Sequence, residues 1–187
     1  MTKTDLNQLK LELSLKAKNG LDFILAATLI WLIITFVWTL PFSSYDKSVL
    51  TFIVGGLMLP LAFVMSKILK TQWKIKDNPL QPLGLWLNIA QLFYFPFLIF
   101  ILIYLPDYFI MGYVIITGAH FFPYALFYNE LGFAIMGGII SFGALLLALW
   151  ATPEQMYLIG IFIASCLAVL ALLLYSSYKG KKASLIQ

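Results

Sequence analysis

Six long apolar runs dominate the chain, and short polar segments separate them. The runs cover approximately residues 22–40, 49–69, 80–105, 108–128, 131–151 and 155–176. Each run meets the need for about 20 apolar residues to cross a hydrocarbon core about 30 Å thick. Gly55-Gly56, followed by Pro60, indicates a bend in the second run. The pattern therefore predicts an all-α polytopic membrane protein, a bundle of six transmembrane helices.

The segment before the first run, residues 1–19, carries two competing periodicities. Leu6, Leu9 and Leu13 fall on one helical face, whereas every second residue from Leu9 to Leu15 is leucine, which is a strand period. Because a lone strand would have no partner among six helices, we predict a short amphipathic helix lying on the membrane surface. A frayed polar tail is the alternative.

Lysine placement predicts the topology. All 12 basic residues are lysines, and all but Lys47 lie in the N-terminal segment, around the loop between the second and third runs, or near the C-terminus. Basic residues accumulate in cytoplasmic segments, so we expect both termini in the cytoplasm. The predicted organisation is an interfacial segment of residues 1–19, a transmembrane domain of residues 20–178 and a basic cytoplasmic tail of residues 179–187.

The composition agrees with a membrane protein and excludes a typical soluble domain. Of the 187 residues, 62% are hydrophobic and only 11% are charged, and the mean hydropathy is +0.94. Soluble domains are about 45–50% apolar and about 25% charged. The net charge of +4 comes from lysines whose positions are explained by membrane topology. The expected partner is therefore the lipid bilayer and not a nucleic acid.

A polar stripe on the fourth run surrounds the only histidine, His120. Tyr113, Thr117, His120 and Tyr124 are spaced by four, three and four residues, which places them on one helical face. Ionisable side chains at membrane depth are costly, so such a residue marks a candidate functional site. Pro123 cannot donate a backbone hydrogen bond, which frees a carbonyl one turn earlier.

The third run supplies a second polar face, with Asn88 and Gln91 about one turn apart. A tight turn at Pro106-Asp107 makes the third and fourth helices antiparallel neighbours, which places Gln91 level with His120. Acidic residues at the ends of two runs would flank the cytoplasmic opening. The predicted ligand-binding residues are His120, Tyr124, Thr117, Gln91, Asn88, Tyr113, Asp22 and Glu130.

Two functions remain open at this stage. In the first, the protein is a small-solute permease or binding protein, and the polar residues line a site around His120. In the second, it is a non-transporting accessory or regulatory protein, and His120, Gln91 and Asn88 form a structural hydrogen-bond clamp between helices. A water-accessible cavity that reaches His120 favours the first function, and a dry, tightly packed bundle favours the second.

Small residues at helical spacing on the fifth and sixth runs indicate close helix packing, and they would also allow a homo-oligomer. These stripes are Gly137 with Ser141, Ala144 with Ala148, and Gly160 with Ala164 and Ala168.

The sequence contains few features that would indicate an enzyme. One histidine and one cysteine, Cys166, cannot supply the three or four ligands of a zinc site, and bis-histidine haem ligation needs a second histidine. The chain contains no Gly-x-Ser-x-Gly, phosphate-loop or HExxH motif. We therefore expect no enzyme activity, no metal and no cofactor.

Four short motifs resemble a family of small, uncharacterised bacterial membrane proteins. They are Gly20–Ala26, Leu59–Ala62 with Ser66-Lys67, Asn88 with Gln91, and Gly118-Ala119-His120 with Pro123-Tyr124. The resemblance covers nearly the full length. It implies a multi-pass helical protein of a bacterial plasma membrane, and it transfers no activity to any residue.

Overall fold

Helices account for nearly all of the chain, and no β-strand occurs in the part that the computed structural model describes, residues 3–184. The all-α prediction is thus confirmed. The helices are α1 (Lys3–Lys16), α2 (Leu21–Thr39), α3 (Ser44–Gly56), α4 (Met58–Leu69), α5 (Gln81–Leu92), α6 (Phe95–Tyr104), α7 (Phe109–Phe127), α8 (Leu131–Trp150) and α9 (Tyr157–Ala183). Single 3₁₀ turns precede α2, α7 and α9.

Six helical segments are long and apolar enough to cross a membrane, as predicted. They are Lys18–Thr39, Ser44–Leu69, Gln81–Tyr104, Pro106–Phe127, Leu131–Trp150 and Pro153–Ala183. The last helix continues well beyond the predicted end at residue 176, so the boundary expected at residue 178 falls inside α9. The beginning of the predicted tail is therefore helical, and its residues 185–187 lie outside the described residues, as do residues 1–2.

Two of the spans are broken near their middle, and a proline accounts for each break. The second span divides where α3 ends at Gly56, four residues before Pro60. The third divides where α5 ends at Leu92, four residues before Pro96. A proline ring crowds the carbonyl four residues earlier and cannot donate to it. The bend predicted in the second run is confirmed.

The core lies between α2, α7, α8 and α9. Its largest fully buried side chains include Trp38, Phe109, Ile140, Ile163 and Leu167. The second and third spans lie at the periphery, because only 17% and 11% of their most apolar windows are buried, against 56% for the first span. Their apolar side chains are suited to lipid contact, which places α3–α4 and α5–α6 around the inner four helices.

The small-residue stripes hold these inner helices together. A Cβ atom on Gly137 of α8 would lie 2.7 Å from the carbonyl oxygen of Gly118 on α7. A Cβ atom on Gly160 of α9 would lie 2.5 Å from the Thr35 hydroxyl on α2. The key glycines of both stripes therefore contact helices of the same chain, and the homo-oligomer stays a prediction.

The N-terminal segment forms the helix α1, so the strand alternative does not apply. We call the end of the bundle that carries α1, the α4–α5 loop, the α7–α8 turn and the end of α9 the terminal face. Asn78 of the α4–α5 loop donates to the Leu9 carbonyl at 2.9 Å and to the Glu12 carboxylate at 2.8 Å. Leu13 is fully buried. Helix α1 therefore packs against other segments of the same protein, and its position at the membrane surface stays a prediction.

Candidate functional site

Helices α5 and α7 meet at the carbonyl group of Gly84. The Tyr124 hydroxyl on α7 donates to this oxygen at 3.4 Å, and the Asn88 amide on α5 donates to it at 3.0 Å. A Cβ atom on Gly84 would lie 2.9 Å from the Phe127 ring. The absence of a side chain at Gly84 therefore lets the α5 backbone approach the aromatic face of α7.

This contact fixes the register of the two helices. From Gly84, two helical turns along α5 lead to Gln91, and from Phe127, two turns back along α7 lead to His120. Residues separated by seven positions lie on nearly the same helical face, about 10 Å apart along the axis. Because the helices are antiparallel, Gln91 and His120 converge on the same level, in agreement with the register that the turn at Pro106 predicts.

His120 and Gln91 are half-buried, and their polar atoms have no hydrogen-bond partner among the described residues. The imidazole ring instead packs edge-to-face against Tyr124, with 5.2 Å between ring centroids. In the same part of the chain, every fully buried side-chain nitrogen or oxygen has a partner. The unbonded atoms of His120 and Gln91 therefore retain accessible surface, and no hydrogen-bond clamp joins them to Asn88.

The other two members of the polar stripe do not reach this site. The Thr117 hydroxyl donates to the Tyr113 carbonyl of its own helix at 2.8 Å. The Tyr113 hydroxyl lies so close to α3 that a Cβ atom on Gly55 would be 2.6 Å from it. The ring of Tyr113 packs among Trp31, Phe52, Phe95 and Phe109. Aromatic side chains fill the space around the Tyr113 half of the stripe. The candidate site is therefore limited to the half around His120.

Asp22 lies at the terminal face, as Glu130 does, but the two carboxylates bind different partners. The buried Asp22 carboxylate accepts hydrogen bonds from the Thr71 hydroxyl at 2.6 Å and from the Trp73 indole at 2.7 Å. The indole ring also stacks on Phe23, with 4.9 Å between centroids. Asp22 thus ties the start of α2 to the α4–α5 loop, and both donors come from a segment that the sequence analysis assigned no role.

Glu130 is instead part of a cluster around Lys181, at the junction of α1, α9 and the α7–α8 turn. Its carboxylate lies 2.5 Å from the Lys181 ammonium and also accepts a hydrogen bond from Ser177. The ammonium further donates to the Ser14 hydroxyl and to the Tyr128 carbonyl, each at 3.0 Å. We call these residues the Lys181 cluster.

The sequence does not reveal this cluster, because membrane topology alone explains a lysine near the C-terminus. A local signal existed, since Ser177 and Lys181 lie four residues apart and therefore share a face of α9. Nothing local marked Ser14 or the α7–α8 turn as their partners. As for metals, no three His, Cys, Asp or Glu side chains converge within the residues that the structure describes.

Six apolar helices with a polar junction between α5 and α7 define a polytopic helical membrane protein. The chain belongs to DUF7010, a family of unknown function whose sequence profile matches residues 6–177. This match confirms the resemblance to an uncharacterised family over nearly the whole chain. No curated protein and no solved structure matches the chain.

Proposed function

We propose that this protein binds a small, uncharged polar solute between α5 and α7 and acts as a membrane permease or solute-binding protein. One observation carries the proposal: from the contact of Gly84 with Phe127 we infer that Gln91 and His120 lie at the same level of adjacent helices, and neither has a hydrogen-bond partner among the described residues. Imidazole and amide groups both donate and accept hydrogen bonds. Together they suit a ligand that does the same.

The energetics of the bilayer support an external partner. A polar group in hydrocarbon without a hydrogen bond costs several kcal/mol. Asn88 and Tyr124 avoid this cost by sharing the Gly84 carbonyl. His120 and Gln91 have no such arrangement, so a bound solute or water would complete their hydrogen bonds.

The surrounding charges favour a neutral ligand. Both acidic residues that were expected near the site, Asp22 and Glu130, are bonded to other groups at the terminal face. A charged solute beside His120 would meet no counter-charge from either, and an unpaired charge at membrane depth is strongly unfavourable. An uncharged amide, alcohol or nucleobase-like solute avoids this penalty.

The position of α5–α6 favours exchange of such a ligand. This span is the least buried of the six, and it is interrupted at Phe93 and Tyr94, next to Gln91. Helical segments separated by an irregular turn can move relative to one another with few broken contacts. Movement of α5 would open or close the junction with α7.

Topology and location are part of the same proposal. We propose that the terminal face lies in the cytoplasm, which the lysine bias favours, and that the six spans cross the plasma membrane of a bacterial cell, as the resemblance to a bacterial family implies. In this topology His120 lies closer to the cytoplasmic end of α7 than to its other end, and a ligand would reach it from the cytoplasmic side.

A ligand screen on purified protein in lipid nanodiscs tests the proposed function. Uncharged solutes should raise the thermal unfolding midpoint of the wild-type protein, and ionised analogues should not. His120→Ala and Gln91→Ala should each weaken binding about tenfold or more, the equivalent of about 1.4 kcal/mol. Ser165→Ala, which alters an exposed hydroxyl on α9, is the matched control and should bind like wild type.

Two results would contradict the proposal. In one, no uncharged solute stabilises the wild-type protein. In the other, ligands bind the His120→Ala and Gln91→Ala variants as tightly as the control. Either result would favour the accessory or regulatory role instead.

A further inference from the structure

A cleft with two charged residues in its lining lies at the end of the bundle opposite the terminal face. It is a cleft of about 560 Å³ between the end of α2, the start of α3 and the start of α9. Trp38 and Tyr157 contribute to its wall, and Lys47 and Glu154 bring opposite charges to it. The cleft shares no residue with the α5–α7 junction, so the inference drawn from it is independent of the proposed function.

The two charges in this cleft form no direct ion pair, although the Glu154 carboxylate interacts with the Thr152 side chain and with the Lys47 charge. Lys47 is the only lysine away from the terminal face and its flanking segments. Within residues 3–184, its ammonium takes part in no hydrogen bond and in no ion pair within 4 Å. Glu154 lies on the exposed rim. The cleft is thus lined by a half-buried cation and an exposed anion.

The level of the cleft relative to the membrane limits which ligands it can bind. The half-buried Tyr157 begins the last helix and the fully buried Trp38 lies at the end of the first span, so the cleft lies at the level where spans meet the lipid headgroups. The Trp38 indole donates to the Thr51 hydroxyl at 2.9 Å, which fixes this wall between α2 and α3. A ligand in the cleft would therefore lie at headgroup level, in contact with both water and lipid.

We propose that this cleft binds a zwitterion that carries a phosphate and a primary ammonium group, the chemistry of phosphoethanolamine. The phosphate contacts the Lys47 ammonium, since lysine binds phosphate as a point charge. The ligand ammonium group donates to the Glu154 carboxylate. A purely anionic headgroup would satisfy Lys47 but would be repelled by Glu154, so charge complementarity favours the zwitterion.

This chemistry occurs both in a lipid headgroup and in the free compound, and the experiment separates the two. Purified protein in detergent is titrated with short-chain phosphatidylethanolamine, with short-chain phosphatidylglycerol and with free phosphoethanolamine. Binding of phosphatidylethanolamine should exceed that of phosphatidylglycerol. Equal binding of the free compound identifies a soluble ligand, whereas binding of the lipid alone identifies a membrane component, and both results support the zwitterion site.

Matched variants test the roles of the two charges. Lys47→Gln and Glu154→Gln should each weaken zwitterion binding about tenfold, while Lys47→Arg and Glu154→Asp should retain most of it. Glu154→Gln should also strengthen phosphatidylglycerol binding, which a purely structural effect would not do. Asp107→Asn, outside the cleft on the same face, is the control. The proposal is overturned if both glutamine variants bind the zwitterion like wild type, or if phosphatidylglycerol binds wild-type protein as tightly as the zwitterion.

Discussion

Replacing Gly137 by alanine should destabilise the bundle by about 1–3 kcal/mol, the usual cost of overpacking a well-packed core. The added methyl group would lie 2.7 Å from the Gly118 carbonyl oxygen. This oxygen belongs to the α7 backbone, so it cannot turn aside as a flexible side chain would. Relief requires α7 and α8 to move apart, which loosens the central contact of the core.

The neighbouring glycine provides the control. A Cβ atom on Gly138 would meet nothing within 4 Å, so Gly138→Ala should leave stability unchanged or raise it by up to about 1 kcal/mol through helix propensity. Thermal unfolding of both variants in the same detergent gives the comparison. Equal midpoints for Gly137→Ala and Gly138→Ala would refute the close approach of α7 and α8.

Replacing Lys181 by methionine should release α1 and lower stability. The substitution keeps the apolar stem of the side chain and removes the ammonium group that binds Ser14, Glu130 and the Tyr128 carbonyl. Breaking a buried ion pair costs about 3–5 kcal/mol. The Lys181 and Glu130 side chains keep 18% and 12% exposure, so solvent screening reduces the expected loss to about 1–3 kcal/mol.

Limited trypsin digestion distinguishes the release of α1 from the general effect of removing one positive charge. In Lys181→Met, cleavage after Lys10 or Lys16 in α1 should be faster than in wild type. Lys182→Met, which removes an exposed lysine one residue later, should be digested like wild type. Adding Glu130→Gln to Lys181→Met should recover part of the lost stability, because the carboxylate is no longer left unpaired. Equal digestion of the two single variants would contradict the role of the Lys181 cluster.

The sequence predicted the spans and the α5–α7 register because these depend on local or nearly local features. Long apolar runs allow only helices in a bilayer. The short connection at Pro106 forces α7 to return beside α6, and the contact of Gly84 with Phe127 follows from that turn. Pro60 likewise marks the break between α3 and α4 through a clash within its own helix.

The partners of charged residues could not be predicted in the same way. Asp22 bonds to Thr71 and Trp73, about fifty residues later in the chain, and Lys181 bonds to Ser14 near the opposite terminus. Such contacts depend on how all six spans are arranged, and the apolar runs carry little information about that arrangement. The sequence therefore identified the polar residues of the α5–α7 junction but not the partners of Asp22 and Glu130.

Cross-linking between α5 and α7 tests the central claim most directly. In a Cys166→Ala background, the Gln91→Cys and His120→Cys pair should be joined efficiently by a short thiol-specific cross-linker in native membranes. The Leu92→Cys and His120→Cys pair is the control, because the Leu92 side chain is 56% exposed and lies about 100° around the helix axis from Gln91. The account predicts a strong cross-link for the first pair and little for the second. Equal or reversed efficiencies would contradict a polar site between Gln91 and His120.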